Sequence, residues 1–592
     1  MSKFFWGRSA PALMLVALLT ACGGGGGGGD SGGGGGTTPP PVVVEKPATR
    51  DEAARFLTQA TFGPTDADID RVMAIGYAPW IDEQFAKPAT SHRAHWEARD
   101  AEIKAANASS SAGQDQVFES FWKQAITGDD QLRQRAAFAL SQIFVISLVA
   151  GTVGQNPRAV AAWMDMLGNQ GLGNYRELLE QVSRHPMMGY YLSHLRNQKA
   201  NAATGRVPDE NYAREVMQLF SIGLVELNED GSARLNAGAA IETYTPADIS
   251  GLAKVFTGFS WACPDWPDNS CFFNGSNAGV SDPDRGWKPM LGYPQYHSTE
   301  AKSFLGTTIA AQSPGAPDAS LKTALDAIAA HPNVGPFIGR QLIQRFVTSN
   351  PSPAYVTAVS RAWANNGSGV RGDMKAVIKA VLMHAEARTV SDTSGKLREP
   401  VLRLSAYLRA FPHKSDTGYW RVGNTDNPGT ALGQSPMRAG SVFNFYRPGY
   451  VAPGTQSAAR NLAAPELQIA SETTAAGFVN YMRDNVGSGV GATNTVVNGV
   501  TLNRRDIQPD FTAELALAAD PPALVARVAG KLAYGQLGSA AQADIATAVA
   551  SITIPVLNAN GSNQANIDSA KRNRVNAAVL LVLATPEFQV QK

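Results

Sequence analysis

Cysteine is nearly absent from this chain: three in 592 residues, at positions 22, 263 and 271. So low a count excludes a disulfide-dense scaffold and a fold organised around several zinc or iron–sulfur centres. Charge is sparse as well. Lysine and arginine number 51 against 50 aspartate and glutamate, a net charge of +1, and only 17% of residues are charged. With no basic stripe, the sequence argues against a nucleic-acid partner. Common catalytic signatures are missing: no HExxH, no CxxC, no Walker loop, no GxGxxG after a strand, and no GxSxG outside a glycine tract. Metalloprotease, nucleotide-binding and α/β-hydrolase readings therefore lose most of their support. Beyond the N-terminus no segment is apolar for 18 residues, so a spanning helix is not expected. Alternating runs of Val, Ile and Thr are also scarce. Thr495–Leu502 is the exception and reads as a hairpin.

What is present begins with an address. Lys3 and Arg8 precede an apolar stretch, Ala10–Ala21, too short to span a bilayer as a mature helix. It ends in Leu19-Thr20-Ala21-Cys22, which resembles the lipobox of bacterial lipoproteins. That resemblance implies cleavage before Cys22 and acylation of its thiol. Gly23 rather than Asp follows, so the expected destination is the outer membrane of a Gram-negative cell. Residues 23–48 read as a tether: Gly23–Gly29 and Gly32–Gly36 are flexible coil, and Pro39–Pro41 is a stiffer spacer. The GDSGG of Gly29–Gly33 matches a serine-protease signature, but it lies inside a glycine tract with no β-barrel around it and is set aside.

The body reads as an all-α fold, with a helical main domain over 49–465 and a C-terminal helical subdomain over 466–592. Thr49-Arg50-Asp51-Glu52 and Thr65-Asp66-Ala67-Asp68 are capping boxes, and Gly76 is a stop signal. Apolar periodicity predicts further helices, among them Gln114–Thr127, Asp130–Val149, Val334–Thr348 and Pro465–Asn485. The exception is 259–297, a long segment rich in Gly, Pro, Asp, Asn and aromatics, including Trp261, Trp266, Trp287 and Tyr296. Loops of this length are uncommon and often functional. Cys263 and Cys271 lie eight apart within it, and in an exported chain such a close pair reads as a disulfide bracing the segment. Metal-ligand spacing is lacking. Asp265, Asp268, Asn269, Asp282 and Asp284 offer oxygen ligands for Ca²⁺ without a defined loop pattern, so no metal site or cofactor is assigned.

One stretch stands apart: Pro208–Gly223, PDENYAREVMQLFSIG. As a helix over 208–222 it places Glu210, Asn211, Arg214, Glu215 and Gln218 within an arc of about 140°. The expectation is that this face points into a cleft covered by 259–297. Asp248 reads as the last member of a Thr245 capping box, a structural role. His297 follows the aromatic segment and is the candidate proton carrier.

The same stretch resembles the most distinctive motif of a bacterial family known as domain of unknown function 1800, with Asp209 where that motif usually has Asn and Gln218 where it has Glu. Six further stretches resemble that family's motifs in order. They include DEAARFLTQATFGPTDADID, QLRQRAAFALSQIFVIS, QYHSTEAKSFLG (with Ser298 at a usual Asp) and SVFNFYRPGYVAPG. The resemblance implies an exported bacterial protein, often encoded beside a sulfatase- or phosphatase-like neighbour, and assigns no activity. Two function classes follow. The first is an enzyme on an extracellular polymer, a polysaccharide above all. Glu210 and Glu215 would act as acid and base, His297 as auxiliary proton carrier, and Asn211, Arg214, Gln218, Trp261, Trp266, Trp287 and Tyr296 as binding residues. The second is a non-catalytic surface module that binds a polymer or helps assemble a secreted structure, reaching the membrane through its lipid anchor.

Overall fold

Threonine caps fix the first two helices where the sequence places them. Thr49 Oγ1 accepts the Glu52 N–H at 3.2 Å and opens Arg50–Ala60. Thr65 and Asp68 cap each other reciprocally and open Asp66–Ile75, which Gly76 closes at φ 89°. The computed structural model describes residues 44–497 and 499–592. The signal segment, Cys22 and the tether through residue 43 lie outside the described residues. Val44–Lys592 form one unit. It is mostly helical, about 50% helix against 8% strand. Among the described residues the strands pair in two-stranded antiparallel ribbons. They include the expected hairpin, Thr495–Val497 with Val500–Leu502.

Several helices are shorter than their periodicity predicts. Asp130–Val149 becomes Gln131–Ser141, because the β-branched run after it leaves the helix and Leu148 donates its N–H to Met437 O at 2.8 Å. Pro465–Asn485 divides into a 3₁₀ turn, Pro465–Ile469, and a helix, Glu472–Val486, that Ser471 caps through Thr474. The segment 259–297 is less irregular than its composition implies. It holds a helix, Asn269–Asn274, a hairpin at 276–281, and a strand pair that joins Phe259–Ser260 to Leu291–Gly292. Cys263 and Cys271 are disulfide-bonded, with Cα atoms 5.7 Å apart.

One hydrophobic core runs from Ala53 to Phe588. The C-terminal strand Val590–Gln591 closes on Lys396–Leu397. For the candidate site the key neighbour is the helix Pro246–Val255. It lies between the helix Asn211–Gln218 and the hairpin Lys302–Phe304/Thr307–Ile309. Contact with the hairpin is close enough to require Gly251: a Cβ there would sit 1.8 Å from Ser303 O. As expected, Asp248 serves this helix N-terminus. Its Oδ2 accepts the Thr245 N–H at 2.7 Å, and its Oδ1 accepts the Leu305 N–H at 2.7 Å. Among the described residues no helix is long and apolar enough to cross a membrane.

Candidate functional site

The distinctive stretch forms a helix over Asn211–Gln218, shorter than the predicted 208–222. Asn197 holds Asp209 from both sides, accepting its N–H at 2.9 Å and donating to its carbonyl at 3.2 Å. Asp209 Oδ1 in turn accepts the Asn211 N–H at 2.8 Å. These bonds hold 208–210 out of the helix. At the far end the Ile222 and Gly223 N–H groups both reach back to Met217 O, and Gly223 takes φ +72°. Tyr212, Ala213, Val216 and Met217 are fully buried, which anchors the apolar face.

The polar face is not one surface. Asn211 is exposed and donates to Ser193 Oγ at 3.3 Å. Arg214 pairs with Glu210 at 3.5 Å, and both side chains stay more than 40% exposed. Ser250 Oγ donates to Glu210 Oε1 at 2.6 Å. Glu215 differs. It is 8% exposed, its Oε2 is sealed from solvent, and among the described residues no hydrogen-bond donor meets that oxygen. Burial raises its pKa, and the nearby Arg214 charge offsets this only in part. Gln218 sits on a third surface, an open cleft of about 300 Å³. The cleft under 259–297 expected for this face is therefore corrected. The wall facing Gln218 and Leu219 comes instead from Phe337, Val442 and Phe443. Helical period fixes angles about one axis, but the neighbouring elements decide which part of the arc is covered. Three of the stretches singled out in the sequence meet here: Gln142 and Ile143, Gln218 and Leu219, and Val442–Gly449.

His297 is fully buried and both ring nitrogens are engaged. Nδ1 donates to Thr257 O at 2.7 Å, and Nε2 meets Ser320 Oγ at 3.0 Å. Burial lowers its pKa to about 4, against the hydrogen bond to Thr257, which favours the charged form. Ser298 donates its N–H to Thr257 Oγ1, and buried Lys302 donates to Ser298 O at 2.8 Å. This motif braces the end of the Pro246–Val255 helix against the helix Pro317–Ala330. None of the motif-helix carboxylates is among His297's partners.

The aromatics of 259–297 are dispersed. Trp261 is 6% exposed and packs edge-on against Tyr190. Tyr296 stacks on Phe272 with centroids 3.9 Å apart and donates to Asn269 Oδ1. Trp266 is 45% exposed and donates its indole N–H to Gly292 O at 2.9 Å. Trp287 lines a pocket of about 320 Å³, where the Arg93 guanidinium lies 4.2 Å from its ring centroid. Asp165, Asn169, Gln181 and His185 share the lining. Asp165 already accepts from Ser91 Oγ and from the His92 and Arg93 N–H groups. His185 is buried, and burial lowers its pKa to about 3. Its Nδ1 accepts the Met187 N–H, so the ring proton is on Nε2, which has no partner; Trp287 Nε1 has none either. Sequence reasoning passed over Asp165, Asn169, Gln181 and His185. Asp165 and Asn169 lie four apart on the helix Pro157–Gln170, and Gln181 and His185 lie four apart at the end of the helix Tyr175–Arg184, but no spacing links one pair to the other or to Trp287.

Asp282 pairs with Lys288 and Asp284 with Arg158, each at 2.7 Å, while Asp268 caps the helix at Ser270. Among the described residues no group of three or more His, Cys, Asp or Glu side chains is placed to hold a metal ion.

Comparison with known families gives the family that the motifs resemble. The family model described as "Protein of unknown function (DUF1800)" matches residues 55–590, and the chain belongs to that family. No curated protein and no solved structure matches it.

Proposed function

We propose that this DUF1800 chain is an exported, membrane-tethered protein that binds an extracellular polysaccharide without cleaving it. One observation carries the reading: the Trp287 pocket. Sugar rings pack their C–H faces on aromatic rings and are oriented by a few polar groups around them. Here an indole shares a pocket of about 320 Å³ with Asn169 and Gln181, and among the described residues neither amide makes a side-chain hydrogen bond. Two buried N–H donors, on His185 and Trp287, have no partner among the described residues. Glycoside cleavage needs two carboxyls flanking one bond, about 5–10 Å apart, one of them a proton donor. The motif-helix carboxylates divide instead between an exposed ion pair and the interior, and His297 is occupied by structural bonds. These features support binding over catalysis.

The test is affinity electrophoresis through gels containing xylan, dextran or alginate, run beside a reducing-end assay. At least one polymer should retard the chain, Trp287→Ala should abolish the retardation, and no reducing ends should accumulate. Retardation by none of them, or unchanged retardation of the variant, would overturn the reading, and steady release of reducing ends would restore the enzyme. The tether has its own test. Cys22→Ala should move the chain out of the membrane fraction or leave it unprocessed, and unchanged partitioning of correctly cleaved protein would refute a lipid on Cys22.

A further inference from the structure

The cleft beside the motif helix carries a second inference, independent of the Trp287 pocket. Its lining is lopsided in charge: two arginines, Arg345 and Arg447, and three glutamines, with no carboxylate. The remaining wall is apolar, with Leu219, Phe337, Val442 and Phe443, and at the rim Leu224, a leucine left 57% exposed. An exposed leucine singly needs no explanation, but one continuous with a concave apolar wall does.

Behind the cleft the imbalance deepens. Arg345 is 3% exposed, its guanidinium lies 4.6 Å from the Tyr446 ring centroid, and its Nε has no hydrogen-bond partner. Arg135, fully buried, lies over the Phe346 ring and donates one N–H to Arg345 O, while its Nε and a terminal nitrogen meet no acceptor. Lys396 is paired with Glu466 at 3.0 Å, both buried. Glu399 is fully buried. It accepts from Gln142, from Gln434 and, at 3.1 Å, from Tyr446 OH, so neutral groups rather than a guanidinium hold it. Arg135, Arg345 and Lys396 therefore face two carboxylates, and among the described residues neither arginine has an ion-pair partner. Buried charge is costly unless it is paired and hydrogen-bonded. Burial pulls the Arg135 pKa down, against the field of Glu399, the sign of a cation short of counter-charge. Gln142 and Arg345 belong to both the network and the cleft lining, so the cationic interior opens at the cleft floor.

We propose that this cleft binds a small amphipathic anion, an apolar body lying along Leu219, Leu224, Phe337 and Phe443 with a single carboxylate, sulfate or phosphate head directed at Arg345 and Arg447. Guanidinium groups suit such heads because their N–H donors form a planar fork. Apolar walls suit the body and make an inorganic anion alone a poor ligand.

Titration calorimetry of the full chain with monomeric decanoate and decyl sulfate tests this, with octyl glucoside and inorganic phosphate as comparison probes. Saturable one-to-one binding of an anionic probe is expected, at least tenfold tighter than octyl glucoside or phosphate. Leu224→Glu and Arg447→Gln should each weaken it about tenfold. Both side chains are exposed, so folding should be retained, and an unchanged melting temperature verifies that. Trp287→Ala should leave this binding intact, which separates it from the glycan reading. Octyl glucoside binding as tightly as decanoate would overturn the role of charge. Phosphate binding as tightly would overturn the apolar wall. Full-strength binding in both rim variants, or no binding of either anionic probe, would overturn the site.

Discussion

Replacing His297 with Gln separates a structural histidine from a catalytic one through the pH dependence of stability. The imidazole is fully buried, bonded on both sides, and its pKa is lowered to about 4. In the unfolded chain it titrates near 6.5. Between those values the unfolded state binds a proton that the folded state refuses, so this group's contribution to stability falls as pH drops from about 6.5 towards 4. One pKa unit corresponds to about 1.4 kcal/mol, so acidification from pH 7.5 to 4.5 costs the wild type about 3 kcal/mol through His297. Glutamine does not titrate. At pH 7.5 His297→Gln should be less stable by about 2 kcal/mol, from two hydrogen bonds imperfectly replaced. By pH 4.5 that deficit should vanish or reverse. The other buried histidines are common to both proteins and cancel in the difference. In a body of this length about 1 kcal/mol moves the melting temperature by roughly 1 °C, so the deficit should close by about 2–3 °C in scanning calorimetry across that range. A deficit that does not change with pH would refute a neutral buried His297. One that grows on acidification would mean the folded state holds the proton, as a proton carrier must.

Glu215→Gln should stabilise the fold at pH 7.5 by about 1 kcal/mol, because it removes a buried charge whose Oε2 has no donor. Burial raises this carboxyl's pKa, so the penalty exists above the folded pKa and fades as pH falls through it. Denaturation midpoints at pH 7.5 and 4 would show the gain and its loss. A destabilisation of several kcal/mol at pH 7.5 would mean that the carboxylate holds a bound group. Reducing the exported protein should raise its intact mass by two hydrogens, from the Cys263–Cys271 bond. The Cys263→Ser, Cys271→Ser double variant should lose about 2.5 kcal/mol, the value for closing a loop of about nine residues, read as a fall of about 2 °C in melting temperature.

Much of the fold was legible because it is written locally. A threonine three residues before a carboxylate, just ahead of an apolar-periodic run, marks a helix start, and Thr49, Thr65 and Thr245 each cap one. The Gln114–Thr127 helix carries a full apolar stripe and matches to the residue. Errors cluster where a distant partner outbids local preference. Nothing within Asp130–Val149 announces that Met437 will take the Leu148 N–H. The order within 259–297 was hidden because its strand pair joins residues over 30 apart across a composition that reads as coil.

The candidate sites show the same division more sharply. A helical wheel correctly separated Tyr212, Val216 and Met217 from the polar residues, yet the polar arc was divided three ways by neighbours that the wheel cannot see. Ser250 draws Glu210 towards the helix Pro246–Val255, packing seals Glu215, and Val442 and Phe443 wall the cleft at Gln218. Identity of residue type on one face is therefore not evidence of one site. The Trp287 pocket teaches the converse. Its indole was visible as an aromatic in a Gly- and Pro-rich segment, but Asp165, Asn169, Gln181 and His185 became its neighbours only through helix packing. The buried network at the other cleft follows the same logic. Nothing in the sequence marks Arg135, Arg345 and Glu399 as buried, because burial is a property of the assembled core. Both proposed ligands thus rest on groups that packing assembles: for the glycan, amides and unpartnered N–H donors around a single indole; for the anion, guanidiniums without counter-charge at the end of an apolar wall.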